Sequence, residues 1–202
     1  MSLLTNWGYL IDQNVTELPE MLSQSTFGNM TAGKYSGDVR IPSMISAAQA
    51  AIRNYCGWHV SPSLPCIFEA DSISTGRVIQ LPARFVSSVE SVTFNGEELP
   101  SESYHLKNNG LLYFDRKFLG CSWGDIIVKY TAGVPDDLMD AIKELIAHRV
   151  THALAQSYGV QSEAAGGVSV TYNATWTNNA RATALPSDNK EVLAPYRLQG
   201  VF

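Results

Sequence analysis

The stretch PSMISAAQAAIRNYCGWHV, Pro42 to Val60, contains the change of period on which the fold turns. Pro42 suits a first helical position, where its missing N–H costs nothing. Ile45, Ala48, Ile52 and Tyr55/Cys56 then recur at helical spacing. Gly57 suits the residue just past a helix end, where a left-handed backbone is needed. Four alanines (Ala47, Ala48, Ala50 and Ala51) give this helix a slim face that can pack closely. Beyond Gly57 the helical period is lost, and Trp58 reads as a core anchor.

From residue 60 to 133 the pattern is short strands and turns. Candidate strands are Ile67–Ala70, Arg77–Leu81, Val89–Phe94, Tyr104–Leu106, Leu111–Phe114 and Asp125–Tyr130. Asn95-Gly96 is a strong hairpin turn, because both central residues of a type I′ turn need positive φ. Asn108-Asn109-Gly110 marks a second tight turn. About six strands at this spacing predict a small antiparallel sheet or partial barrel. The period then returns to helical over residues 136–158, with a stripe of Leu138, Ile142, Leu145, Arg149/Val150, Ala153 and Ser157. Asp136 or Asp137 can cap it, and Gly159 ends it. Val168-Ser169-Val170-Thr171-Tyr172 alternates strictly and predicts a strand exposed on one face, an edge in need of a partner. Residues 173–187 read as loop and 189–196 as a short helix. At the other end, residues 1–37 read as irregular, with Leu18–Leu22 a possible helical turn and 27–37 a loop.

Charge is scarce throughout. The 202 residues include 14 Lys+Arg and 19 Asp+Glu, a net charge of −5 and 16% charged residues, against about 25% in an ordinary soluble domain. Uncharged polar residues fill the gap, which leaves a surface poorly protected against association. From Gly159 to Ser187 only Glu163 and Arg181 are charged, so this stretch is expected to be covered by neighbours in its working state. A −5 balance with no basic cluster beyond Arg116-Lys117 argues against a surface that tracks phosphates. No run approaches the ~18 apolar residues of a spanning helix. The N-terminus lacks the basic and apolar regions of a signal peptide, so a cytoplasmic start is expected.

Candidate chemistry is thin. His148 and His152 stand one helical turn apart and could share a metal, but Arg149 occupies the place where the zincin signature has Glu. Glu144 is placed to pair with His148. Cys56, His59 and Cys66 offer three soft ligands where a structural zinc site needs four, usually in close pairs. Cys121 is the third cysteine, and the odd number with no CxxC pair reads as reduced thiols. The acids Asp136, Asp137 and Asp140 have a sufficient role at a helix start. No phosphate-binding loop, dinucleotide fingerprint or nucleophile elbow occurs. No enzyme, cofactor or metal is therefore expected. The last seven residues hold Tyr196, Leu198, Val201 and Phe202. An apolar tail of this kind either folds back or docks on a partner.

Several blocks occur in an order that resembles the head–tail connector (adaptor) proteins of tailed, siphovirus-like phages. They are Ala47–Val60; Leu81-Pro82-Ala83 with Val86 and Val89–Val92; Tyr130-Thr131-Ala132-Gly133 with Pro135–Leu138; and the closing Leu193-Ala194-Pro195-Tyr196-Arg197-Leu198. The likeness spans about residues 40–200. It implies an α+β chain, mainly a helical connector core of two main helices plus a short C-terminal helix, with an inserted small antiparallel β domain. The expected divisions are an irregular segment 1–37, the first main helix 38–59, the β insertion 60–133, the long helix 134–160, a strand and loop for inter-subunit contact 161–187, and a C-terminal helix and tail 188–202.

The resemblance also implies a structural virion protein of the neck, assembled in the host cytoplasm. Its copies would form a ring, with a dodecamer expected, beneath the portal protein, extending the channel for packaged DNA and receiving a downstream stopper or tail-completion protein. DNA contact would be passive, and no membrane is involved. Tyr196, Arg197, Leu198, Val201 and Phe202 are the expected portal-binding residues. Val168, Val170, Tyr172 and Trp176 are the expected inter-subunit residues. The alternatives are a stopper or tail-completion protein of the same neck and, further off, a small metal-dependent hydrolase.

Overall fold

The computed structural model describes residues 3–12, 17–71, 76–115, 125–155, 162–165, 168–171, 185 and 187–198. The chain forms two compact units. One comprises residues 1–19, 56–139 and 194–202, and the other 20–55 and 140–193.

The first unit is built on a six-stranded antiparallel sheet in the order β1-β2-β3-β9-β5-β6. Its strands are β1 (Leu3–Leu4), β2 (Leu10–Ile11), β3 (Leu64–Ala70), β5 (Val86–Phe94), β6 (Glu97–Glu98) and β9 (Ile126–Ala132). A second sheet, ordered β4-β8-β7, contains β4 (Val78–Gln80), β7 (Tyr104–Lys107) and β8 (Leu111–Phe114). The Asn95-Gly96 turn forms as its sequence demands: φ is 52° and 81°, and Phe94 pairs with Glu97 directly across it. Opposite β9, β5 slips register twice, between Val86 and Ser88 and between Val89 and Ser91, so Glu90 sits in a bulge. Alternation then sends Ile11, Cys66, Tyr130, Val128 and Val92 into the core, all at most 1% exposed. Trp58 and His59 are wholly buried with them.

The second unit contains α1 (Gln24–Met30), α2 (Ile41–Cys56, whose last residue belongs to the first unit), α3 (Asp140–Ala155), the hairpin β10 (Ser162–Ala165) with β11 (Val168–Thr171), and α4 (Ser187–Leu193). Ser23 caps α1 by accepting the Thr26 N–H at 3.1 Å. Asp38 launches α2: its carboxylate accepts the Arg40 N–H at 2.9 Å and binds the Arg40 guanidinium at 2.7 Å. That pairing holds the Asp38 carboxyl down at about 2. On α2, Gln49 is buried, and its side-chain oxygen accepts the backbone N–H groups of Met21 and Leu22, tying the segment before α1 to the helix. Ile45, Ile52, Ile142, Ile146, Val150 and Leu193 are buried in this unit.

Three expectations need correction. The chain is α+β, but the mainly helical description fails, because two sheets with their own buried core make up the larger unit. Residues 1–37 are not simply irregular: β1, β2 and α1 lie there, and β1 and β2 extend the main sheet through Leu10↔Ile67 and Ile11↔Cys66. Two-residue strands leave no periodicity in a sequence, which is why pattern reading passes over them. Finally, Asp136 and Asp137 do not cap the long helix directly. They stand in a separate 3-10 turn, Asp136–Leu138, and α3 begins at Asp140.

Candidate functional site

The C-terminal segment is anchored within the first unit. After Ala194–Tyr196, a 3-10 turn, the Leu198 N–H donates to the Cys56 carbonyl at 2.8 Å. The Trp58 Nε1–H donates to the Tyr196 carbonyl at 2.8 Å, and the Arg84 Nε–H to the Pro195 carbonyl at 3.0 Å. The Tyr196 hydroxyl donates to the Leu138 carbonyl at 3.2 Å. Phe85 lies between two rings, stacked on Trp58 at 6.3 Å and tilted against Tyr196 at 5.9 Å. Tyr196 and Leu198 are half-buried and Arg197 is exposed. The structure therefore seats Tyr196 to Leu198 on their own unit while leaving part of each open. Val201 and Phe202 lie outside the described residues.

Of the expected inter-subunit residues, Val168 and Val170 stand on β11, while Tyr172 and Trp176 fall outside the described residues. The partner that the alternating strand needed is local: β10 pairs with it through Ser162↔Thr171, Glu163↔Val170, Ala164↔Ser169 and Ala165↔Val168. The two strands form a sheet by themselves.

The outer face of the six-stranded sheet carries a feature that sequence reading missed. One cross-strand row runs Leu4, Leu10, Ile67, Lys129, Ser91 over β1, β2, β3, β9 and β5. Its members alternate with buried Ile11, Cys66 and Tyr130, so they face away from the core. Leu4 is 71% exposed. Leu10 and Ile67 are half-buried, and Lys129 is exposed without an ion pair among the described residues. The row exists only once β1 and β2 have paired with β3.

The candidate metal ligands are separated or engaged. The His148 and His152 rings lie 6.3 Å apart, and no Glu144–His148 ion pair forms among the described residues. Among those residues no group of three or more His, Cys, Asp or Glu is placed to hold a metal. Both nitrogens of the buried His59 ring are in use. Nε2 lies 2.9 Å from the Ala132 carbonyl, which can only accept, so Nε2 carries the proton. Nδ1 lies 2.6 Å from the Tyr9 hydroxyl, and that hydroxyl accepts the His59 backbone N–H at 3.0 Å. Burial pushes the Cys56 and Cys66 thiols up to about 12, so neither presents a thiolate at neutral pH. No helix among the described residues is long and apolar enough to cross a membrane.

A half-open anchored C-terminus, a two-stranded hairpin and an apolar outward row fit an α+β assembly subunit. The chain belongs to the head completion protein family, whose model matches residues 21–198. No curated protein matches it. Its fold is similar to chains in three solved structures, each 17% identical and each covering 94% of this chain and 96% of the other. They are described as the neck of an empty gene transfer agent particle computed with C6 symmetry (TM-score 0.55), the neck of the native particle computed with C12 symmetry (0.51), and the virion of the native gene transfer agent (0.52).

Proposed function

We propose that this protein is a structural subunit of the neck of a phage-like particle, a head–tail connector rather than an enzyme. Its copies form a ring of twelve beneath the portal, continue the channel for packaged DNA, and offer a docking surface to the next head-completion or tail protein. The observation that carries this reading is the family match over residues 21–198, supported by end-to-end likeness to chains of neck structures with sixfold and twelvefold symmetry. A net charge of −5 suits a channel through which DNA slides, since tight phosphate binding needs clustered cations. The family's description, head completion, favours as a second reading a stopper that closes the filled head.

In the connector reading the C-terminal end meets the portal through Tyr196, Arg197, Leu198, Val201 and Phe202. The inter-subunit contacts come from the segment of Val168, Val170, Tyr172 and Trp176. The test is co-expression with the portal protein of the same particle, read by negative-stain imaging and native mass measurement. A ring that stacks on the portal is expected. Removal of residues 199–202 leaves in place the described anchoring bonds of Pro195, Tyr196 and Leu198, so the truncated chain should stay folded and lose portal binding. A folded truncation that still joins the portal at full strength would remove the tail from this role. Binding only to DNA-filled heads would favour the stopper.

A further inference from the structure

We infer that a pocket between α1 and the turns leading into α2 receives Trp176 of the neighbouring copy; this rests on the ring reading above. The pocket lies within the second unit and has a volume of about 610 Å³, inside the roughly 300–1,000 Å³ of clefts that hold small guests. Phe27 and Ile41, 1% and 3% exposed, belong to its lining, and Tyr35 stacks on Phe27 with ring centroids 6.3 Å apart. Thr31 and Ser36 add hydroxyls. The lining includes no Asp, Glu, Lys, Arg or His. Of the charged side chains that adjoin it in sequence, Lys34 stands over the Tyr35 ring at 5.3 Å, and Asp38 and Arg40 pair with each other at 2.7 Å.

Gly28 marks this pocket as a binding site. It stands inside α1, where glycine is the least favourable residue after proline. Its backbone is not left-handed, and a Cβ at this position would meet no atom within 4 Å. Neither backbone conformation nor packing within the chain therefore calls for glycine. A guest does, because without a Cβ a flat ring can lie directly against the helix backbone. The matching guest is uncharged and carries one large flat side chain. Residues 164–180 of this chain carry no charge, and Thr175-Trp176-Thr177 stands among them. An indole brings apolar area for Phe27, Tyr35 and Ile41, and one N–H that the hydroxyl oxygens of the lining can accept. A second copy supplies it, since each chain brings both the pocket and the segment, a head-to-tail arrangement that closes into a ring. A long stretch without charge is then tolerable, because the ring covers it.

Substitutions at Gly28 and Trp176 test the contact. Gly28→Ala should raise the denaturant midpoint of the monomeric chain, because alanine is the better helix former, and yet weaken self-association. Gly28→Leu and Trp176→Ala should each weaken association by roughly tenfold or more, with an unchanged circular dichroism spectrum. Sedimentation velocity, with the chain alone or with the portal, reads the change. An equal mixture of the Gly28→Leu and Trp176→Ala chains should give heterodimers but no rings, because only one of the two interfaces between them joins an open pocket to a tryptophan. Parent-like rings from either variant overturn the inference and leave the neck role standing. A Trp176→Ala chain whose monomer is less stable while its association holds places Trp176 in its own pocket, and overturns it too. A parent chain that forms no ring, alone or with the portal, overturns the neck reading itself and this inference with it. If Gly28→Leu loses its fold, disulfide trapping replaces it. With Cys121→Ser in both chains, a Ser36→Cys chain mixed with a Thr177→Cys chain of different mass should give a covalent heterodimer on oxidation. Rings without that heterodimer refute the pocket contact and leave the neck role standing.

Discussion

The Leu198 N–H donates to the Cys56 carbonyl at 2.8 Å, so the last residue of α2 is closed by a residue from the far end of the chain. The final carbonyls of a helix have no partner within it, and Leu198 supplies one here. The segment that resembles a connector's closing block is thus a structural clasp as well as a candidate docking element.

Trp58→Phe tests the clasp. The change keeps an aromatic ring beside Phe85 but removes the Nε1–H that donates to the Tyr196 carbonyl. Losing one part-buried hydrogen bond costs about 1 kcal/mol. The expected result is a modest fall in denaturant midpoint with unchanged slope, and faster amide exchange at Arg197 and Leu198 than in the sheet. Exchange that rises equally everywhere would mean the bond serves the whole core rather than the clasp.

The sequence disclosed the regular part of this design and hid the rest for identifiable reasons. The period break at Gly57, the Asn95-Gly96 turn and six of the strands between residues 60 and 133 were legible, since each has a local signature. The alternation at Val168–Thr171 was legible, but its partner β10, Ser-Glu-Ala-Ala, has no strand propensity to announce it. The outward row was invisible because Leu4 and Leu10 join Ile67 only through long-range pairing of two-residue strands. His59 and Cys66 looked like ligands by type. Only the fold shows that the ring nitrogens of His59 face Tyr9 and Ala132.

That buried cluster gives the second prediction. The Tyr9 hydroxyl is hydrogen-bonded to His59 Nδ1 and accepts the His59 backbone N–H. Tyr9→Phe leaves both groups buried without that partner, at about 1–3 kcal/mol for each. A loss of roughly 2–6 kcal/mol is expected by equilibrium unfolding. Since Tyr9 adjoins β2, the N-terminal strands should become accessible to protease before the rest of the sheet. A loss under about 1 kcal/mol would show that water replaces the hydroxyl.

The cysteines predict an alkaline limit. Burial is the main cause that holds Cys56 and Cys66 at about 12, against an ordinary value of 9.0. A folded-state value above the unfolded one means that the native state keeps its proton longer. The contribution is complete below pH 9.0 and disappears as pH rises towards about 12. Stability should fall across that window by up to about 1.4 kcal/mol per pH unit for each thiol. Burial also raises Tyr130, which acts in the same direction. Denaturant midpoints measured from pH 8 to 11 check the slope. Alkylation at pH 8 should spare both thiols in the native protein and reach them after unfolding.

Two glycines separate backbone strain from steric exclusion. Gly57 has φ +79°, and the nearest atom that an added Cβ would meet is the Leu198 Cβ at 3.7 Å, an ordinary contact. Gly57→Ala therefore costs only the left-handed conformation, about 1–2 kcal/mol. Gly133, between β9 and the turn before α3, is different. A Cβ there would lie 2.6 Å from the Pro62 carbonyl oxygen and collide with the Ser63 backbone. Backbone cannot swing aside as a side chain can, and the Gly133 N–H is already committed to the Phe85 carbonyl at 3.0 Å. Gly133→Ala must push the Pro62–Ser63 segment away from the end of β9, and overpacking of that kind costs about 1–3 kcal/mol beyond any strain. Thermal unfolding of the two variants should place Gly133→Ala clearly below Gly57→Ala. Equal losses would mean that the Pro62 segment yields freely and that the close approach at Gly133 carries no stability.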